Sequence, residues 1–355
     1  MTANKDRLPL LSLHRPWSGN ENPIWLASTL LLKRNLTRYR FPPKLDTPSR
    51  KQIRELIGGQ LEKSSQLDKP YLVRAEEMDP LEKEFLFEHF LASSSFQQAL
   101  SGEGFVVDGS GEFLATLNIG DHLQLHLTET HENLEESWNR LIKLETLLGR
   151  TLDYAYNPRF GFLTSDPMSC GTGTLISLYL HLPALIHVNS LEETVKRLEP
   201  HEVEAASIRG PLDDIVGDLL VLRNRCTIGL TGEDIVQSLR TQALNLIVAE
   251  KRLRSELKKM GSAEMKDKVA RAFGLLHHSY QLEIHEAWGA LSLLKLGLDL
   301  GWVSGTTHAH LNELLFTTRR AHLICEYSEA IGQEEVAHRR AEFVHASLQD
   351  IHLSI

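Results

Sequence analysis

The sequence predicts an α+β fold, a mostly antiparallel sheet flanked by helices and followed by an all-helical C-terminal domain. Three observations predict it. Short segments between Phe105 and Cys226 carry strand-like runs separated by glycine turns. After Thr231 the apolar period changes to that of a helix, and nearly all that follows keeps it. The chain has 355 residues, 42% apolar and 24% charged, enough for two ordinary domains with packed cores. The organisation read from this is a flexible leader over 1–22, a sheet-containing domain over 23–257 and a helical domain over 258–355 for dimerisation or partner binding.

The elements follow in order. Pro48 and Ser49 precede RKQIRELIGGQLEK, a helix with Gly58 and Gly59 near its end. Asp79–Pro80 opens a second helix, LEKEFLFEHFLAS, with proline in its first turn. FVVDGSGEFLATLNIGDHLQLHLTE reads as two or three strands around a turn at Asp108–Gly111. Asn133 to Leu148 is helical, and Tyr154 to Thr164 is strand-like. Gly171–Thr172–Gly173 then leads into an apolar segment that ends at Pro183. HEVEAASIRG and DIVGDLLVLRNRC look extended, though the second also passes as helix. A long helix begins at Gly232–Glu233–Asp234, with Ile235, Leu239, Ala243, Ile247 and Leu253 near a 3.6 period. Further helices are predicted over 264–278, 281–300, 309–328 and 333–353.

A net charge of −9 argues against nucleic acid or an anionic membrane as the main partner. No apolar run approaches the about 18 residues of a membrane span, and the N-terminus lacks a secretory signal pattern, so a cytoplasmic protein is expected. Cys170, Cys226 and Cys325 are too few and too far apart for a disulfide framework or a structural zinc site. The 17 histidines lack ligand spacing, and no metal is expected. Gly171–Thr172–Gly173–Thr174 has neither the lysine of a Walker loop nor the third glycine of a Rossmann fingerprint. Ser165 and Ser169 lie in no nucleophile elbow.

Several segments read together resemble the ATP:guanidino phosphotransferase (phosphagen kinase) family, in its bacterial protein-arginine kinase (McsB-like) branch. RNLTRYRFP at 34–42 resembles RNL-x-x-FRFP. MDPLEKEFLFEHFLAS, LNIGDHLQL and FGFLTSDPMSCGTGTLISLYLHLPAL resemble the corresponding helix, loop and glycine-rich blocks. DKVARAFGLL, LGLDLGW and LNELL resemble the helical domain of the bacterial branch. The resemblance spans about residues 23–348. It implies a phosphagen-kinase-like fold and a transfer that relies on in-line positioning and on neutralising phosphate charge with arginine forks. It also implies Mg²⁺ beside the phosphates, carboxylates that hold the guanidinium and a nearby thiolate.

The implied chemical positions are substituted in this sequence. Thr29 and Leu31 stand where the family has two arginines, and Gln124 and Leu175 where it has two more. Gly120 occupies the place of the glutamate that works on the guanidinium, and Asp166 that of the thiolate; Cys170, four residues on, does not replace it. The loop from Arg209 to Gly217 is short and lacks a glutamate, leaving Arg209 as the one retained phosphate-type arginine. The branch's phosphoarginine reader carries an Arg-Asp pair where Val336 and Ala337 stand; Arg339 and Arg340 read as a solvated helix face.

The expectation is therefore a pseudokinase that acts as a scaffold or regulatory partner, with no residue assigned to catalysis and no cofactor. One alternative is an active kinase with a rebuilt ATP·Mg site, in which Asp166, Asp213 or Asp214 replaces the glutamates and Lys33 or Arg34 the arginines. Another is a non-catalytic sensor of a nucleotide or guanidino ligand. The resemblance implies a homodimer and a protein partner, either a small zinc-binding activator-type protein or a component of the Clp system.

Overall fold

The structure, a computed structural model, describes residues 10–92, 94–198, 202–208, 210–327 and 331–355. The sheet domain comprises β1 (Trp25–Arg34), α1 (Thr47–Glu62), β2 (Tyr71–Arg74), α2 (Pro80–His89), β3 (Gly104–Val107), β4 (Phe113–Leu117), β5 (Leu123–Glu129) and α3 (Leu134–Gly149). A small hairpin follows, β6 (Tyr156–Asn157) and β7 (Gly161–Phe162). Then come β8 (Thr174–His181), α4 (Pro183–His187), α5 (Leu191–Lys196), β9 (Val203–Ser207), β10 (Leu219–Asn224) and α6 (Gly232–Met260). The C-terminal elements are α7 (Ala263–His278), α8 (Ile284–Leu300), β11 (Val303–Ser304), α9 (His308–Thr317), α10 (Arg320–Cys325), α11 (Val336–Ser347) and β12 (His352–Leu353).

Eight strands form one sheet in the order β2-β3-β4-β5-β1-β8-β10-β9, and every pairing is antiparallel. Period-two alternation divides the strands between two faces. Leu30, Leu32, Leu125, Leu127, Ile176, Leu178, Leu220 and Leu222 point to one face. There they join Ile53 and Ile57 of α1, Leu141 and Leu144 of α3, and Leu239 and Leu246 of α6 in the main core. Each leucine so buried contributes about 1.5–3 kcal/mol. The other face carries the interleaved residues Thr29, Leu31, Lys33, Gln124, His126, Leu175 and Ser177, and it holds the positions of chemical interest.

Local signals account for the helix starts. Asp46 caps α1 by accepting from Ser49 N at 2.9 Å. Asp79 and Glu82 form a reciprocal capping box on α2, and Thr231 and Asp234 form another on α6. The helix predicted over 309–328 is broken. Arg319 is extended (φ −66°, ψ 151°), while the Thr318 hydroxyl donates to Leu314 O at 2.7 Å. The helix predicted over 333–353 stops at Ser347, and His352–Leu353 turns back to pair with Val303–Ser304.

The flexible leader is corrected in part. Residues 1–9 lie outside the described residues, but 10–22 pack against the body. Leu10 joins a core with Phe85, Phe90 and Phe105. Trp17 is wholly buried and stacks on Phe316 at 4.5 Å between ring centroids. Asn312 Nδ2 donates to Asn20 O at 2.7 Å. The helical elements also share a core with the sheet domain, for Leu26, Ala184, Val216 and Leu219 pack with Leu257, Val269, Leu291 and Leu294.

Candidate functional site

The positions singled out on β1, β5 and β8 come together on the open face of the sheet. Leu31 pairs with Leu175 on one side and with His126 on the other, giving a continuous cross-strand row of Leu175, Leu31 and His126. Leu31 is buried and Leu175 half-buried. His126 is buried with Nε2 unpartnered, and burial, aided by the nearby Lys33 charge, pushes its pKa down to about 3. It is neutral at physiological pH, so no group in this row carries a permanent charge. The neighbouring row is Ser177, Thr29 and Thr128; the Tyr179 phenol on the same face donates to Leu91 O at 3.2 Å. In the next row Lys33 faces Gln124.

The His126 state predicts a pH effect. The folded imidazole stays neutral down to about pH 3, whereas the unfolded one protonates below 6.5. Its contribution is therefore complete above pH 6.5 and is lost as pH falls toward 3, by about 1.4 kcal/mol per pH unit. Urea unfolding of His126→Leu at pH 7 and pH 5 should show about 2 kcal/mol less acid destabilisation than the natural protein. Parallel profiles would show that His126 is not buried neutral.

Gly120 occupies a tight turn between β4 and β5. Asn118 and Gly120 both have left-handed backbone, φ 60° and 73°. A Cβ at 120 would lie 2.8 Å from Gln124 Nε2, which donates to Ile119 O at 2.9 Å. Gln124 is thus spent on closing the turn. The adjoining Asp121–His122 pair is structural. Asp121 Oδ1 accepts from Asn35 Nδ2 at 2.6 Å and from Ser165 N at 2.7 Å. His122 Nδ1 accepts from Leu36 N, and Nε2 donates to Arg40 O. Burial lowers its pKa to about 4, consistent with a neutral ring. The RNL and DH words therefore clamp β1 to the loop before β5.

Asp166 is exposed. It caps the short turn at Pro167–Ser169, and its Oδ2 accepts from Ser169 Oγ at 3.2 Å. Lys33 Nζ donates to the same Ser169 hydroxyl at 3.0 Å, so Lys33, Ser169 and Asp166 form a chain beside the Leu175 row. Cys170 sits behind this turn with Sγ 3.5 Å from Thr164 Oγ1. Arg34 faces away. It pairs with Glu145 at 2.7 Å, donates to Lys33 O and Thr172 O, and lies 3.6 Å over the Phe162 ring. That corrects Arg34 as a substitute phosphate ligand. The glycine-rich word serves packing: a Cβ on Gly173 (φ 64°) would lie 2.7 Å from Lys33 O. Asp213 and Asp214 are exposed; the loop bearing them packs Leu212 and Ile215 into the main core, and Asp213 lies in a groove with Glu192 and Glu193. Arg209 lies outside the described residues. Among the described residues no group of three or more His, Cys, Asp or Glu could hold a metal ion, and no helix is long and apolar enough to cross a membrane.

Residues 52–253 match the ATP:guanido phosphotransferase C-terminal catalytic domain, and residues 262–354 match the protein-arginine kinase McsB C-terminal domain. A protein-arginine kinase of Chlamydia pneumoniae is 35% identical over 346 residues, covering 96% of each chain. The chain belongs to the ATP:guanido phosphotransferase family, in its protein-arginine kinase branch. A second protein-arginine kinase, from Halothermothrix orenii, is 29% identical and covers 93% of this chain and 94% of that one. The fold is similar to the crystal structure of a lombricine kinase, with TM-score 0.56 and 18% identity over 70% of this chain and 72% of that chain.

In this protein-arginine kinase relative, the reader-like positions lie at the start of α11. Arg339 is a surface residue paired with Glu342 at 2.9 Å. Arg340 is not on a solvated face; it is buried and donates to Thr318 O at 2.8 Å and Leu282 O at 2.7 Å. It ties α11 to the ends of two other segments. Sequence reasoning missed the cavity that lies close by. It has about 540 Å³ and opens between Ser177, Tyr179 and Val221 of the sheet and Arg319 and Trp288 of the helical elements. No sequence pattern announces it, because its walls come from α2, β8, β10, α8 and the α9–α10 break.

Proposed function

We propose that this protein is a pseudokinase, a protein-arginine-kinase fold retained as a scaffold or regulatory partner. The observation that carries the reading is the neutral row of Leu175, Leu31 and His126, in which Leu175 and Leu31 stand where the resemblance implies arginines. A charge-assisted hydrogen bond to phosphate contributes roughly 1.5–3 kcal/mol, and two leucines and a neutral imidazole offer none. Asp166 adds a carboxylate where a triphosphate would be repelled. Mg·ATP therefore does not fit this row. Partners of the kinds the resemblance implies, a small zinc-binding activator or a Clp-system component, remain part of the proposal, as does a cytoplasmic location.

A second reading has its own support. The relatives at 35% and 29% identity carry the name protein-arginine kinase, and the Lys33–Ser169–Asp166 chain places one cation and one carboxylate beside the row. It makes the protein an active kinase with a rebuilt site. Thermal shift with Mg·ATP and an assay for acid-labile phosphate on arginine separate the readings. No shift and no phosphoarginine are expected; a shift alone favours a nucleotide sensor, and phosphoarginine favours the kinase.

A homodimer through residues 260–355 belongs to the same proposal. Most of the LGLDLGW and LNELL leucines do not supply its interface, since Leu296, Leu300, Leu311, Leu314 and Leu315 are buried within the chain. Met260 (73% exposed) and Tyr280 (75%) leave apolar surface on this region instead. Light scattering at micromolar concentration should give about twice the 40.1 kDa chain mass; a monomer would remove this part of the reading.

A further inference from the structure

We propose that the free edge of β9 docks an extended segment of a partner protein, one that adds a strand to the sheet and carries a basic residue between two apolar ones. The inference goes beyond the pseudokinase reading and holds whether or not the protein transfers phosphate. β9 ends the sheet, with β10 as its one neighbour in the strand order.

The ladder fixes where each backbone group points. Arg225 N donates to Glu202 O at 2.9 Å, and the register continues with Val203 opposite Asn224, Glu204 opposite Arg223 and Ala205 opposite Leu222. Bonded and non-bonded positions alternate along an antiparallel pair. Glu202, Glu204 and Ala206 therefore turn their N–H and C=O groups to β10, while Val203, Ala205 and Ser207 turn theirs outward. Ser207 bears this out by exchanging two backbone hydrogen bonds with Gly210, at 2.9 and 3.3 Å. That return of the chain covers the end of the edge. Nothing among the described residues covers it at Val203 and Ala205, so two donors and two acceptors stand in line. An extended peptide is held by such a row.

The side chains say what the segment must carry. Val203 and Ala205 face the main core, so residues paired with them on an added strand point to the same side. An open notch of about 390 Å³ lies there, walled by Val195, Leu198, Val203 and Ala205. It accepts apolar side chains; Lys196 and Arg225 also border it and disfavour a cation in the notch itself. This side of the sheet is opposite the one that bears the Leu175–Leu31–His126 row. Glu204 points to the other face, where it is exposed and pairs with Arg223 at 3.1 Å. The residue between the two apolar ones would sit opposite Glu204. A lysine or arginine is attracted there and a carboxylate repelled. The same carboxylate argues against a second copy of this chain as the occupant. A two-fold pairing that sets Val203 opposite the second copy's Ala205 also sets Glu204 against Glu204.

The test is fluorescence anisotropy of a labelled, end-blocked peptide, threonine-valine-lysine-valine-threonine, titrated with the full chain. Saturable binding with a dissociation constant below about 1 mM is expected. Methylating the two valine amide nitrogens removes the donors to Val203 O and Ala205 O and should weaken binding at least tenfold. Glutamate in place of the peptide's lysine should weaken it about threefold. Glu204→Lys, at an exposed position, should reverse that preference, so that the glutamate peptide binds the better of the two. Ala205→Pro removes one edge donor and sets a ring in the path of the added strand, and should abolish binding. If that variant fails to fold, the charge reversal at Glu204 still decides. Absence of saturable binding to about 1 mM, equal binding of the methylated peptide, or an unreversed preference in Glu204→Lys would overturn the proposal. So would a halving of the mass by light scattering in a folded Ala205→Pro, which would give the edge to a second copy instead. None of these outcomes depends on phosphoarginine formation, so the pseudokinase reading stands or falls separately.

Discussion

Neither the natural protein nor its Leu175→Arg variant is expected to place acid-labile phosphate on arginine of a protein substrate, even with a zinc-binding activator-type partner present. Transfer to a guanidinium relies on positioning and on charge stabilisation of the moving phosphoryl group. Groups that act in this way function as a unit, and restoring one restores little. Leu175→Arg would put a guanidinium opposite Leu31 with no second cation across the strand. Leu31→Arg is expected to be worse, because it introduces an unpaired charge at a position only 6% exposed; a stability loss of about 3–5 kcal/mol follows by urea unfolding. Gly120→Glu meets a backbone obstacle. The left-handed φ of 73° strains any side chain there, and the Gln124 side chain, whose Nε2 would lie 2.8 Å from the new Cβ, must move aside and give up its hydrogen bond to Ile119 O. Robust phosphoarginine from the natural protein, abolished by Arg209→Ala, would overturn the pseudokinase reading and support the rebuilt-site kinase.

Much of the sheet was legible because its determinants are local. The leucines and isoleucines of β5 and β8 alternate with other residues, and Asp108–Gly111 marks the turn between β3 and β4. The period-two pattern also put Thr29, Leu31 and Lys33 on one face, where they lie. Features set by distant partners were not legible. Trp17 looked like part of a leader because its cover, Phe316, is about three hundred residues away in sequence. Arg340 reads as one of two adjacent surface arginines, since nothing in RRA says that Thr318 O and Leu282 O await it. The break at Arg319 leaves the helical period of 309–328 almost intact in sequence, yet it decides where one guanidinium points. Arg34 was offered as a phosphate ligand by residue type, but strand alternation already sets it on the face opposite Lys33.

Glu250→Ala is expected to destabilise the protein by about 3–5 kcal/mol and to loosen the helical elements from the sheet domain. In the sequence Glu250 is an ordinary charged residue of a long amphipathic helix. In the structure it is wholly buried and joins three elements. Its carboxylate accepts from Ala184 N at 3.0 Å and Leu185 N at 2.9 Å, satisfying the start of α4, and from Arg254 Nε at 2.7 Å. Arg254 in turn pairs with Asp299 of α8 and donates to His181 O of β8 at 3.1 Å. Removing the carboxylate leaves two buried N–H groups without an acceptor and a buried guanidinium with one carboxylate fewer. Either loss is costly where water cannot compensate. The break falls where the two cores meet, at Ala184, Leu219 and Leu257, so its effect should reach both sides. Glu250→Gln keeps an acceptor oxygen and the side-chain volume, and should cost about 1–3 kcal/mol, less than the alanine variant. Urea unfolding followed by far-ultraviolet circular dichroism reads the stability, and a lower slope in Glu250→Ala would report that the helical elements come away before the sheet unfolds. A loss under about 1 kcal/mol in Glu250→Ala would mean that water or a rearranged Arg254 takes over these contacts, and that the two cores are held together by apolar packing alone.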